Sequence, residues 1–229
     1  MDTNNFTNKT SQKLLDISQR FRQSNHLSSP ELYKSETSKR PNRSAVLICL
    51  FEESDELYVI LTKRSSKLSS YSGHVSLPGG RTDEGDVDDI RTALREAEEE
   101  IGLDPALVDV VAVLEPFVTK ENVTVVPVLG ILWNRQAFNP VLNAEEVESI
   151  FYAPLEMFLK NENRRHEERE FQGRKHLLHY FDFKTNNKVY VIWALTAGIL
   201  ISTASLVYQR PPNFEPRMPF FWKKNISKF

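Results

Sequence analysis

The residues most able to do chemistry lie in the run Arg95-Glu96-Ala97-Glu98-Glu99-Glu100. Glu96, Glu99 and Glu100 are separated by steps of three and four, so a helix places their carboxylates on one face. Like charges at that spacing destabilise a helix by about 0.2–0.5 kcal/mol per pair. A hard divalent cation, Mg²⁺ or Mn²⁺, compensates such a face through oxygen ligands; the alternative is a solvated acidic surface. Arg95 precedes the first glutamate and can orient it by charge-assisted hydrogen bonding. Upstream, Pro78-Gly79-Gly80 forces a turn whose backbone, lacking Cβ, admits close approach of a phosphate. The expected site therefore has Glu96, Glu99 and Glu100 as metal ligands and catalytic residues. Arg95 is expected as a catalytic orienting group, with Gly79 and Gly80 at the substrate.

Other polar residues are weighed around that core. Lys63 and Arg64 stand at a strand end near the glycine turn, where they suit phosphate binding or simple solubility, and Arg64 is the better substrate-binding candidate. His74 reads as a polar loop residue, and Asp83, Glu84, Asp86, Asp88 and Asp89 read as loop solvation. A general base is expected from the glutamate cluster itself or from Asn143 to Glu148, where Glu145, Glu146 and Glu148 are unranked candidates.

The elements that must position these groups follow from periodicity. Ile90 to Ile101 reads as a helix with Ile90, Leu94, Ala97 and Ile101 on its apolar stripe, closed by Gly102. Ala45 to Phe51 and Leu57 to Thr62 read as a hairpin around an acidic turn, and Val75 to Leu77 as a short extended segment. Leu107 to Leu114, Val123 to Trp133 and Glu148 to Ala153 read as strands, the second at an edge or bulged because of Pro127. Pro154 to Leu159 starts a short helix. Asn161 to Glu170 reads as a solvated charged segment, helix face or loop. Leu177 to Phe183 and Lys188 to Ile192 form a hairpin around Asn186-Asn187, and Trp193 to Val207 is a second long helix. The fold expected is α/β (α+β), a mixed sheet between helices in an α/β/α sandwich. Its domain is expected over 44–210, with a polar extension over 1–43 that is partly helical or disordered and a tail over 211–229.

Composition narrows the function. The chain has 29 Lys and Arg against 31 Asp and Glu in 229 residues, so no global field attracts a nucleic acid and a small-molecule partner is expected. The single cysteine, Cys49, sits in an apolar run and reads as a buried structural thiol. Val189 to Tyr208 carries no charge, but Thr196, Ser202, Thr203 and Ser205 interrupt it; a buried strand and helix is expected there, not a membrane span. The early Asp2 and the lack of an apolar leader point to the cytoplasm, with a peroxisomal alternative from the terminal Ser227-Lys228-Phe229. The oligomeric state is not legible.

The stretch from Gly80 through Asp86, Arg95, Glu96, Ala97, Glu99, Glu100, Gly102 and Leu103 resembles the Nudix box, G-x5-E-x7-R-E-U-x-E-E-x-G-U. Asp86 stands where that pattern has Glu, eight residues separate it from Arg95, and Ala97 replaces a larger aliphatic; Asp86 is accordingly not assigned as a ligand. Leu61-Thr62-Lys63-Arg64-Ser65, Gly73 and Leu77-Pro78-Gly79-Gly80 are similar to the signature of coenzyme A diphosphatases, with Ser69 in place of its second arginine and Leu77 in place of Phe. The resemblance implies a Nudix-type sandwich. It also implies hydrolysis of coenzyme A, with acyl-CoA as a further substrate, to 3′,5′-ADP and 4′-phosphopantetheine with Mg²⁺ or Mn²⁺. Rival readings are a Nudix hydrolase for ADP-ribose, NADH or oxidised nucleotides, and a nucleotide-binding module without catalysis.

Overall fold

Strands β1 (Arg43–Glu53) and β2 (Glu56–Arg64) form the expected hairpin. Ser54 and Asp55 between them both have positive φ, 50° and 65°, the turn geometry that matches the right-handed twist of flanking strands. The chain is seen in a computed structural model that describes residues 11–24 and 42–222.

β1 and β2 pair only from Leu50↔Val59 to Glu53↔Glu56 and then diverge. The fork between them is filled by β3 (Val75–Ser76), which pairs with Thr62 and Lys63, and by β4 (Gly79–Arg81), which pairs with Ser44 to Val46. The Pro78-Gly79-Gly80 segment, expected as a turn, thus runs into a short strand in the cleft of the sheet. Its anchor is Leu47 N donating to Pro78 O at 2.8 Å.

The other edge of β1 pairs in parallel with β7 (Thr124–Leu132), which β5 (Val108–Val113) and β6 (Phe117–Val118) flank on its far side. β8 (Val147–Pro154) pairs with β2. Pro127 was expected to put its strand at an edge or in a bulge, but β7 is central and pairs with β1 in register through Pro127. Pro127 O accepts from Leu114 N at 2.8 Å, where β5 has ended and β6 has not begun. In an antiparallel ladder a residue's N–H and C=O face the same side, so the missing donor faces this gap and breaks no ladder bond.

Alternate residues of β1 feed two cores. Leu47, Cys49 and Phe51 pack with Ala93, Ala97 and Ile101 of α2 (Asp89–Ile101) on one face. Ile48 and Leu50 pack on the other face with α1 (Gln12–Gln23) and α3 (Ala194–Tyr208). This is the mixed sheet between helices that the sequence pattern predicts. Burial pushes the Cys49 thiol up to about 12, as an inert core residue requires. Among the described residues no helix is long and apolar enough to cross a membrane.

The second sheet corrects one expectation. The charged run Asn161 to Glu170 falls largely in a strand, β9 (Arg164–Phe171), paired antiparallel with β10 (Arg174–Thr185), which pairs in turn with β11 (Lys188–Trp193). Charges on both of its faces hide the period of two. Cross-strand pairs hold it instead: Glu168 to Lys175 at 2.8 Å and Glu167 to Tyr180 at 3.2 Å. Asn186 and Asn187 make the expected β10–β11 turn at φ 49° and 58°.

The expected divisions at residues 43 and 210 do not coincide with packing boundaries. Leu14, Ile17 and Phe21 of α1 are buried in the main core, and Arg20 Nη2 donates to Val207 O of α3 at 2.7 Å. Beyond residue 210, Asn213 N donates to Leu159 O, Leu177 N donates to Arg217 O, and Trp222 is buried against Gly198. The Ser227-Lys228-Phe229 signal lies outside the described residues.

Candidate active site

Helix α2 begins where Asp88 Oδ1 accepts from Arg91 N at 2.7 Å and ends at Gly102, whose φ of 68° closes the last turn. Ala93, Ala97 and Ile101 bury one stripe, which turns Glu96 and Glu100 toward the fork between β1 and β2. Glu100 is 2% exposed, and its Oε2 accepts from Gly79 N at 3.2 Å. The carboxyl of Glu96 lies over Gly80, where an added Cβ would come within 2.4 Å of Oε2. Gly79, at φ 151°, has β1 in the same position: its Cβ would meet Ala45 O at 2.4 Å. The room left by the two glycines is therefore taken by the protein's own backbone and by Glu96, whereas the sequence reading assigned it to a phosphate.

Arg95 knits the loop to the helix. Its Nε and Nη2 donate to Asp86 Oδ1 and Oδ2 at 3.1 and 2.9 Å, and Nη2 also donates to Arg81 O at 3.0 Å. Nη1 reaches Glu96 Oε1 and Glu99 Oε2, each at 3.0 Å. Burial works against the charge of Asp86, but bonds from Arg95, the Asp83 amide and the Thr92 hydroxyl outweigh it and hold the carboxyl below its ordinary value. Asp86 was read as loop solvation; it is the buried partner of Arg95. The extra residue before Arg95 is accommodated in this loop without loss of that pairing.

The profile of the NUDIX domain matches residues 41–181 of this chain. The chain belongs to the Nudix family. Nudix hydrolase 15, mitochondrial, of Arabidopsis thaliana is 63% identical over 183 residues, covering 80% of this chain and 64% of that protein. Nudix hydrolase 22, chloroplastic, of the same plant is 63% identical over 181 residues, covering 79% and 60%. The chain thus spans less than two thirds of the length of either. The peroxisomal coenzyme A diphosphatase NUDT7 of Mus musculus is 34% identical over 200 residues, covering 82% and 84%.

These relatives overturn the expected cytoplasmic address and its peroxisomal alternative, because the two at 63% identity carry mitochondrial and chloroplastic names. The expectation leaned on Asp2 and the lack of an apolar leader, whereas an address is read from a segment separable from the folded domain.

The Nudix box residues are not all brought to one point. Glu96 and Glu100 face the glycine segment, while the side chain of Glu99 is 55% exposed and held outward by Arg95. Among the described residues, no three His, Cys, Asp or Glu side chains are arranged to hold a metal ion. Burial raises Glu96 above its ordinary value. Burial, then Glu96 and Glu146, push Glu100 up to about 8 against the Gly79 amide and Arg64.

Arg64 does join the site. Its Nη1 lies 3.9 Å from Glu100 Oε1, and its Nε is buried with no hydrogen-bond partner. Lys63 does not, being paired with Glu148 at 2.8 Å. The three loop glutamates separate in the same way. Glu145 pairs with Lys67 and Glu148 with Lys63, while Glu146 takes a bond from Asn143 Nδ2 at 3.1 Å and lies close enough to raise both Glu96 and Glu100. The loop is docked on α2 by Asn143 N donating to Glu100 O and Val141 N to Ile101 O. No spacing rule could rank these glutamates, because their proximity to α2 comes from this docking.

Proposed function

We propose that this chain is a metal-dependent hydrolase of phosphate anhydrides in small molecules, acting on coenzyme A. The observation that carries the reading is the buried Glu100 carboxyl beneath Gly79, crowded by Glu96 and Glu146 and faced by Arg64. Glu96 and Glu100, both raised chiefly by burial, form a carboxyl pair suited to a hard divalent cation. Glu96 and Glu100 would hold it, joined by Glu99 on rotation away from Arg95. Mg²⁺ or Mn²⁺ bound there would neutralise the anhydride oxygens.

The chain's own groups supply the rest. Arg64 has an unpaired Nε donor for a phosphate oxygen. Arg95, held by Asp86, fixes the rotamer of Glu96. Glu146 takes a proton from the attacking water as its oxygen bonds to phosphorus and the P–O bond of the leaving phosphate breaks. Coenzyme A so cleaved gives 3′,5′-ADP and 4′-phosphopantetheine. The coenzyme A choice draws support from the signature around Arg64 and Gly79 and from the 34% identity to a coenzyme A diphosphatase.

Incubation with coenzyme A, ADP-ribose, NADH and an oxidised dGTP, each with Mg²⁺ and with Mn²⁺, tests this by product identification. Fastest release of 3′,5′-ADP from coenzyme A is expected. Preferential cleavage of any other of the four refutes the substrate, and cleavage of none refutes the hydrolase.

A further inference from the structure

The loop Ser65–His74 projects from the end of β2 that carries Arg64, and an aromatic ladder starts in it. The Tyr71 ring meets His74 at 5.8 Å and 64°, and His74 meets Trp193 at 5.2 Å. Trp193 stacks on Tyr180 at 5.3 Å and 6°, and Arg165 caps Tyr180 at 4.3 Å. His74, Trp193 and Tyr180 are half-buried. Tyr71 is 64% exposed, and its backbone sits at φ 54°, a conformation that costs free energy for a residue with a Cβ.

That strained geometry is held by main-chain hydrogen bonds. His74 N donates to Tyr71 O at 3.1 Å, Gly73 N to Arg64 O at 3.2 Å, and Arg64 N to His74 O at 2.9 Å. The same loop touches the Glu146 loop, with Ser65 N donating to Glu146 O at 2.8 Å. The exposed ring is thus tied by main-chain bonds to the arginine whose Nε lacks a partner.

We infer that Tyr71 is a specificity residue that stacks on the purine base of the substrate, with His74 and Trp193 holding the ring in place. A planar base linked through ribose to the phosphates at Arg64 is the chemistry that an exposed, backed aromatic beside a phosphate donor selects. The inference rests on the anhydride-hydrolase reading for its phosphate anchor, and it holds for any adenine nucleotide substrate.

The test is titration calorimetry of wild type, Tyr71→Phe and Tyr71→Asn with AMP and with ribose 5-phosphate, in buffer containing Mg²⁺. Neither ligand has an anhydride to cleave, so binding is read apart from turnover. Asn removes the ring and tolerates the left-handed backbone. Tyr71→Asn is expected to bind AMP roughly tenfold or more weakly, to bind ribose 5-phosphate as wild type does, and to raise KM with kcat unchanged. Tyr71→Phe is expected to match wild type. Equal AMP affinity in Tyr71→Asn and wild type overturns the inference. So does wild-type AMP binding no tighter than that of ribose 5-phosphate, or an equal loss for both ligands. Failure of the hydrolase reading shows separately, as absence of turnover in the four-substrate assay.

Discussion

Asp86 and Arg95 face each other across the loop that leads into α2, with Nη2 2.9 Å from Oδ2 and Nε 3.1 Å from Oδ1. The Asp86 side chain is 2% exposed, so its charge is kept buried only by that partner and by the Thr92 and Asp83 donors. Removing one member of a buried pair costs about 3–5 kcal/mol because the other is left unpaired. Arg95→Ala should therefore lower the urea midpoint substantially, and kcat should fall as Glu96 loses its orienting bond. An unchanged midpoint would show that the pair does not organise the loop.

The adjacent glycines should respond differently to the same substitution. Gly79→Ala drives a methyl into Ala45 O of β1 at a φ of 151°, which should cost about 3 kcal/mol or more and leave little folded protein. Gly80→Ala meets the end of the Glu96 side chain, not backbone, at closest approach. It should fold and lose turnover. Circular dichroism with an activity assay separates the two, and equal stability of both variants would contradict the packing described.

Of the three loop glutamates, Glu146 is the one whose charge raises Glu96 and Glu100. Glu146→Gln should lower kcat by roughly a hundredfold, the usual contribution of a positioned base. Glu145→Gln and Glu148→Gln break exposed pairs with Lys67 and Lys63 and should leave kcat within about twofold. A full-rate Glu146→Gln would move the base elsewhere.

His179 gives a pH signature. It accepts from Arg164 Nη1 at 2.9 Å and donates through Nε2 to Pro216 O at 2.7 Å, an arrangement that requires the neutral ring. Burial first, then the Arg164 and His166 charges, hold its pKa below the ordinary 6.5 despite the Pro216 bond. With a depressed folded value, the unfolded chain binds the extra proton first as pH falls. The stability contribution is therefore complete above pH 6.5 and is lost progressively below it. His179→Gln, which keeps one acceptor and one donor, should flatten the dependence of the urea midpoint on pH between about 7.5 and 5.5. The same slope in both proteins would exclude His179 as its source.

Local chemistry was legible wherever one residue type answers one geometric need. Gly102 at the end of α2, the positive-φ asparagines between β10 and β11, and the apolar stripe of α2 are such cases. What escaped depends on partners distant in sequence. β9 is a strand because β10 supplies its ladder and counter-charges, while Pro127 is tolerated in a central strand because β5 gives way to β6 beside it. In sequence Asp86 is one of several loop acids, and only the fold closes Arg95 on it; Glu99, grouped with its neighbours by spacing, is drawn outward by that same arginine.

The central claim is that the Glu100 face holds a catalytic cation, and Glu100→Gln tests it most directly. Glu100 is buried and pushed up to about 8, so near pH 7 the neutral amide should leave the urea midpoint close to wild type. Turnover of coenzyme A with Mg²⁺ should fall by at least about a hundredfold, and EDTA should bring wild type to the same level. Wild-type turnover by a folded Glu100→Gln protein would contradict the account.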